Sequence, residues 1–278
     1  MDNIKGRDGV CYIISDDEKQ QFLDQGYCVL RDVLTTEEVA AFEDTYMAFA
    51  RGEVSGMGRD FCDMSGPYDR TFEDYALINA MLPRKYRPEL QGNIYEQLAQ
   101  SIAEQLIGET AVYDYDQFLS KKPLKGDAAF AMHQDLGYWP IGTPDTMTTT
   151  CSLALDDADA ENGCLAVVPG SHLEAALRAH HPVYKSDDDD IRGGGHTLTL
   201  EMKPNDETVF LPVRRGDVTV HNERIVHGSG GNISSRWRRT YVIAHRSQAC
   251  VDYERSIGFT HSHNDDVHWK SHLSALDV

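Results

Sequence analysis

Four positions in this chain are of types and spacings that could do oxidative chemistry: His133, Asp135, His227 and Arg238. His133-Gln134-Asp135 sets an imidazole and a carboxylate two residues apart. In extended backbone, two such side chains project to one face. A lone HxD is a weak signal in a chain with 12 His and 45 Asp+Glu, so it needs a third ligand from a distant strand. His227, in Ile225-Val226-His227-Gly228-Ser229-Gly230, is the candidate. Two imidazoles and one carboxylate on a β scaffold form the facial triad of non-haem Fe(II) oxygenases, with the opposite coordination positions left open. The carboxylate matters, because a small residue in its place would open a further position, as a halogenase requires. Asp135 therefore favours hydroxylation over halogenation. Arg238 follows His227 on the next expected strand, well placed to take a buried carboxylate through a two-pronged guanidinium contact. Alternation groups Arg238, Thr240 and Val242 on one face and Trp237, Arg239 and Tyr241 on the other. It leaves open which face is inward.

The remaining histidines carry plainer expectations. His172, in Pro169-Gly170-Ser171-His172, reads as part of a turn, and His221 as a packing or supporting residue near the triad. His180, His181 and His196 flank an acidic loop and are expected to face solvent. A second HxD, His263 and Asp265, lies with His261, His268 and His272 in a stretch with no strand pattern. It reads as a polar tail or a cap over the barrel rather than a metal site. Tyr138 and Trp139 directly follow the His133 segment, and either wall a substrate pocket or pack in the core.

These residues need elements to hold them. The first 110 residues read as mainly helical. Ser15-x-x-Glu18 and Thr35-x-x-Glu38 are capping boxes, and Gly26 to Leu30 reads as a strand. Val39, Phe42, Tyr46 and Phe49 form the apolar stripe of one helix, and Ile94, Leu98, Ile102 and Leu106 that of another, ended near Gly108. Arg51 to Arg70 reads as a long loop. From about residue 111, short β-rich runs alternate with turn signals: Thr148 to Leu155, Cys164 to Val168, Thr197 to Met202, Thr208 to Val213, Asp217 to His221 and Trp237 to His245. Many short strands of this kind predict a β-sandwich or barrel. The run Asp187 to Asp190 with Gly193-Gly194-Gly195 reads as a solvated loop.

Composition bounds the function. The chain has 278 residues, 41% hydrophobic and 26% charged, and a net charge of −19. That is globular and argues against a basic surface for nucleic acid or anionic lipid. No apolar run is long enough for a transmembrane helix. Six scattered cysteines without a CxxC pair read as reduced thiols in a cytoplasmic setting. No feature speaks to oligomeric state.

The segments His133-Gln134-Asp135-Leu136-Gly137-Tyr138-Trp139-Pro140, Glu161-Asn162-Gly163-Cys164-Leu165 with Pro169-Gly170-Ser171-His172, and His227-Gly228-Ser229-Gly230-Gly231-Asn232 through Arg238 resemble the phytanoyl-CoA dioxygenase (PhyH) family. The resemblance covers roughly residues 20–250. It implies a mainly β fold with flanking helices, a double-stranded β-helix (jelly-roll, cupin-like) core over 111–250 within a single domain of 1–278, and a tail over 251–278. It implies Fe(II) held by His133, Asp135 and His227, with 2-oxoglutarate and O2 as co-substrates and Arg238 on the distal carboxylate. Gln117, Lys122, Thr149 and Ser152 become candidates to line the co-substrate pocket. The expected activity is hydroxylation of an unactivated C–H bond of a small molecule, a polar metabolite or natural-product intermediate. An acyl-CoA 2-hydroxylase is the alternative within the family, and the acidic chain favours it less. Desaturation, cyclisation or epimerisation would share the same iron site. A jelly-roll that binds metal without catalysis, as a sensor or interaction module, is the alternative outside it.

Overall fold

The computed structural model describes residues 6–66, 70–108, 111–140, 142–144, 147–183 and 197–261. The chain opens with a hairpin of β1 (Arg7–Asp8) and β2 (Cys11–Tyr12), then α1 (Asp16–Gln25) and β3 (Tyr27–Leu30). Both capping boxes form: the Ser15 and Thr35 side chains accept from the Glu18 and Glu38 backbone N–H groups. The expected single helix after Thr35 is two, α2 (Thr36–Ala40) and α3 (Glu43–Ala50), separated at Phe42, which leaves helical backbone. Val39, Phe42, Tyr46 and Phe49 nevertheless all enter one core.

The segment expected to be a loop contains β4 (Phe61–Asp63), which pairs with β5 (Leu77–Met81). α4 (Pro83–Tyr86) and α5 (Ile94–Ile107) follow, the latter ending at Gly108. The barrel strands are then β6 (Ala111–Lys121), β7 (Phe130–His133), β8 (Thr149–Ala154), β9 (Leu165–Val167), β10 (His180–Pro182), β11 (Leu198–Leu200), β12 (Val209–Leu211), β13 (Val218–His221), β14 (His227–Ser229) and β15 (Arg238–Ser247). Helix α6 (Gln248–Ser256) closes the described chain.

Seven strands form the major sheet in the order β3-β13-β8-β15-β6-β5-β4, and four form the minor sheet in the order β12-β9-β14-β7. Every pairing is antiparallel. The fold is thus mainly β, as expected. The N-terminal part is more than a helical layer against the barrel, since β3, β4 and β5 complete one side of the major sheet.

Alternation sorts the major sheet cleanly. Cys151 and Leu153 of β8, Val218 and Val220 of β13, and Tyr241 and Ile243 of β15 face the helices, where they pack with Tyr46, Tyr95, Leu98 and Ile102. The residues between them face a cavity shared with the minor sheet. This settles the parity left open by sequence: Arg238, Thr240 and Val242 point inward.

Candidate active site

His133 and His227 are direct cross-strand partners at the junction of β7 and β14. Their ring centroids lie 4.3 Å apart. The strands approach closely because Gly228 follows His227: a Cβ there would sit 2.8 Å from the carbonyl oxygen of Phe130. Asp135 is not on the strand, contrary to the alternation expected for the HxD. β7 ends at His133, and Asp135 opens a 3-10 turn over Asp135–Tyr138. The turn, not the pleat, brings the carboxylate round to the imidazoles.

Donor atoms of His133, Asp135 and His227 all lie within 4.8 Å of one another. The Nε2 atoms of His133 and His227 are 3.3 and 3.4 Å from Asp135 Oδ1. Each imidazole turns its Nδ1 to a backbone carbonyl two residues earlier, Ala131 at 2.7 Å and Ile225 at 3.0 Å. An Nδ1–H donated to a carbonyl leaves Nε2 as a lone pair. Two lone pairs and a carboxylate oxygen converging at this separation repel unless a cation or proton lies among them. That arrangement fits a divalent metal with nitrogen and oxygen ligands. Burial would push Asp135 toward the neutral acid. Instead His227, with hydrogen bonds from His133, His221 and His227, holds it well below the usual carboxylate range. Burial pulls the His227 pKa down, but Asp135 outweighs it and keeps it above its ordinary value.

His221 supports the same carboxylate. Its Nε2 is 3.2 Å from Asp135 Oδ2, and its ring centroid is 4.3 Å from that of His227. Sequence reasoning gave it a supporting role, and the geometry puts that role on Asp135.

Arg238 lines the cavity and, among the described residues, has no hydrogen-bond or ion-pair partner. An inward guanidinium without a counter-charge fits an anionic co-substrate. Gln117 also lines the cavity, donating from Nε2 to Asn79 Oδ1 at 2.6 Å, and Ser152 faces it from β8.

Several expected site residues lie elsewhere. Lys122 has the opposite parity to Gln117, and its Nζ donates outward to the Phe72 carbonyl at 3.0 Å. The buried neighbour Lys121 faces the cavity instead. Thr149 shares parity with Cys151 and turns to the core side, while Thr150 lines the cavity. Tyr138 and Trp139 are core residues, not pocket walls. The Tyr138 hydroxyl accepts from the Leu198 N–H at 2.7 Å. Trp139 packs among Tyr115, Phe259 and the Arg246 guanidinium. His180 is buried rather than solvent-facing, and its Nε2 accepts from the Gln134 N–H at 3.0 Å. His181 is exposed as expected. His172 takes its turn role, contacting the Leu23 carbonyl at 3.1 Å. His261 pairs with Asp60 at 3.0 Å, which ties the chain after α6 to the body. His196, the Asp187 to Asp190 run and the second HxD lie outside the described residues.

Comparison with known proteins agrees with this geometry. The family model for phytanoyl-CoA dioxygenase (PhyH) matches residues 22–240. The peroxisomal phytanoyl-CoA dioxygenase of Mus musculus is 22% identical over 251 residues, covering 86% of this chain and 70% of that protein. A probable alpha-ketoglutarate-dependent hypophosphite dioxygenase of Stutzerimonas stutzeri is 25% identical over 240 residues, covering 82% and 77%. Among solved structures, EvdO2 from Micromonospora carbonacea var. aurantiaca complexed with 2-oxoglutarate superposes with a TM-score of 0.65 at 27% identity, covering 84% of this chain and 91% of that one.

Proposed function

The chain belongs to the phytanoyl-CoA dioxygenase family, and on that premise we propose that His133, Asp135 and His227 hold the iron of a hydroxylase acting on a small polar metabolite or natural-product intermediate. The protein is a 2-oxoglutarate-dependent non-haem iron dioxygenase acting on a small molecule. The observation that carries the site assignment is the convergence of two carbonyl-anchored imidazoles on the Asp135 carboxylate.

When bound, iron with 2-oxoglutarate and O2 supplies the oxidation: the keto acid becomes succinate and CO2, and one oxygen atom enters a substrate C–H bond. The chain's own residues position and exclude. The Ala131 and Ile225 carbonyls fix the two ring planes, and His221 and Thr150 approach the other carboxylate oxygen of Asp135. Arg238, which lines the cavity beside Thr240 and Ser152, would hold the distal carboxylate of the co-substrate. Leu77, Tyr115, Phe130 and Val242 supply apolar wall that keeps water from the reacting centre.

The acyl-CoA alternative needs basic groups free for phosphates. Three of the four arginines that could form such a cluster are engaged internally: Arg236 with Asp159, Arg239 with Asp156 and Glu43, and Arg246 with Asp114. That leaves Arg238, inside the cavity, and supports the small polar substrate. We read the chain as one dioxygenase domain over 1–278, in a reducing, cytoplasmic compartment. Six unpaired cysteines, five of them buried, support the latter. No helix among the described residues is long and apolar enough to cross a membrane.

The test is a metabolite panel scored by succinate release together with a product heavier by one oxygen atom. Asp135→Ala and Arg238→Ala should each lower coupled turnover by at least about a hundredfold. Full succinate production by both variants would reject the assignment.

A further inference from the structure

One cross-strand row of the major sheet runs under the site. His221 of β13, Thr150 of β8, Ala244 of β15 and Tyr115 of β6 are successive direct partners. His221 and Thr150 approach Asp135 from one end of the row. Tyr115 closes the other end, three strand spacings or about 14 Å away, and Ala244 between them contributes only a methyl group. Tyr115 is buried and lines the cavity. Its ring belongs to the apolar wall, but its hydroxyl has no hydrogen-bond partner among the described residues. Other buried tyrosines are bonded within the protein. The hydroxyls of Tyr46 and Tyr241 donate to the Leu119 carbonyl at 2.7 Å and to Asp116 at 3.3 Å, and that of Tyr138 accepts from the Leu198 N–H. A buried hydroxyl left without such a partner calls for one from outside the chain. The ring is also held in place: Trp139 packs on it with 5.6 Å between centroids, and the Arg246 guanidinium lies over Trp139 in turn. Burial pushes the Tyr115 pKa well above its ordinary value, so the hydroxyl keeps its proton and can donate.

The charges nearby narrow what it can meet. Lys121 and Arg238, the lysine and arginine of the cavity lining, face each other at the far end, about 20 Å along β6 from Tyr115. Arg246, behind Trp139, is taken up by Asp114, Glu223 and Glu254. Among the described residues lining the cavity, none beside Tyr115 is a cation that could hold a carboxylate or phosphate. A phenol donates one hydrogen bond and suits a neutral acceptor.

We propose that Tyr115 is a substrate-binding, specificity-determining residue whose hydroxyl donates to an uncharged oxygen of the substrate, a hydroxyl, ether or carbonyl beside the C–H bond that is oxidised. The substrate class is then a neutral oxygenated small molecule, and an acid is rejected because its charge would be buried there without a partner. This rests on the functional reading above.

The experiment is ligand-detected NMR on the Zn(II)-loaded protein saturated with 2-oxoglutarate, since zinc is redox-inert and the complex does not turn over. The probes are matched pairs: cyclohexanol against cyclohexanecarboxylate, and butyrolactone against its ring-opened hydroxybutyrate. The neutral member of each pair should bind more tightly. Tyr115→Phe, which removes only the hydroxyl, should weaken the neutral probes by about three- to tenfold, the range of one neutral hydrogen bond. It should leave 2-oxoglutarate affinity, measured by calorimetry, within about twofold. Preference for the carboxylates, no binding by either neutral probe, or unchanged neutral binding in Tyr115→Phe each overturns the proposal. So does an equal loss of 2-oxoglutarate affinity, which would make the hydroxyl a support of the site as a whole. Failure of the unaltered protein to bind 2-oxoglutarate would reject the functional reading itself, an outcome distinct from a failure confined to Tyr115.

Discussion

At the scale of single residues, the site depends on which atom of each ring faces inward. The carbonyls of Ala131 and Ile225 decide that for His133 and His227, and His221 decides it for Asp135 by occupying Oδ2. A residue that orients a ligand without itself binding metal typically governs about 10- to 100-fold in metal affinity. His221→Phe should therefore weaken iron binding by about that factor while leaving it measurable in an anaerobic titration. His227→Ala should abolish it. Equal loss in the two variants would make His221 a ligand rather than a support. The triad and Arg238 were legible because their chemistry requires particular residue types and their order along the chain is restrictive. Lys122 and Thr149 were misread for one reason, which lies in the strands themselves. Gln117 and Lys122 cannot share a face of one strand, and neither can Thr149 and Ser152. Period-2 alternation applied to those pairs selects Lys121 and Thr150.

At the scale of elements, β15 serves two sites. Its first half carries Arg238 into the cavity, and its second half carries Arg246 into a buried network that fixes α6. Arg246 lies 2.8 Å from Asp114 Oδ2 and 3.6 Å from Glu254, and also contacts Glu223. Arg255 joins from α6, 3.3 Å from Glu254. Three carboxylates against two guanidinium groups leave one acid to be neutral, and burial pushes Glu254 up to about 8. Removing the central cation strands buried carboxylates, a change worth about 3–5 kcal/mol, whereas losing one helix cap costs about 1 kcal/mol. Denaturant unfolding should accordingly rank Arg246→Met well below Thr35→Ala in stability. The reverse order would show that the network contributes little. This network also explains why β6 escaped sequence reading. Asp114 and Asp116 look like solvent-facing breaks in a strand pattern, yet both are buried and paired, with Arg246 and with Arg84 and Tyr113. The capping boxes and α5 were legible because their determinants are local. The pairing of β4 with β5, and the passage of β3 into the major sheet, depend on contacts far apart in sequence.

At the scale of the whole molecule, a net charge of −19 surrounds an interior rich in neutral imidazole, and the two respond differently to acid. His245 is fully buried on β15 and, among the described residues, has no hydrogen-bond partner on either ring nitrogen. Burial, followed by the charge of Arg84, pushes its pKa down to about 3. The unfolded chain takes up a proton there near pH 6.5 and the folded chain does not. Below that pH the unfolded state therefore binds more protons, and stability rises with pH across the window. The contribution of His245 is complete above about pH 6.5 and is lost progressively toward pH 3, with a slope approaching about 1.4 kcal/mol per pH unit. His180 and His221, each pushed down to about 4 by burial, add losses of the same sign over this range, so the share of His245 is read as the difference between the unaltered and variant profiles from about pH 6.5 to 4.5. His245→Leu should flatten the stability profile there, measured by urea unfolding at half-unit pH steps. At pH 7.5 it should cost little, because the imidazole it replaces makes no hydrogen bond. An unchanged slope in His245→Leu would mean that this imidazole titrates alike in both states, and the acid limb would then belong to the other buried histidines and the carboxylates.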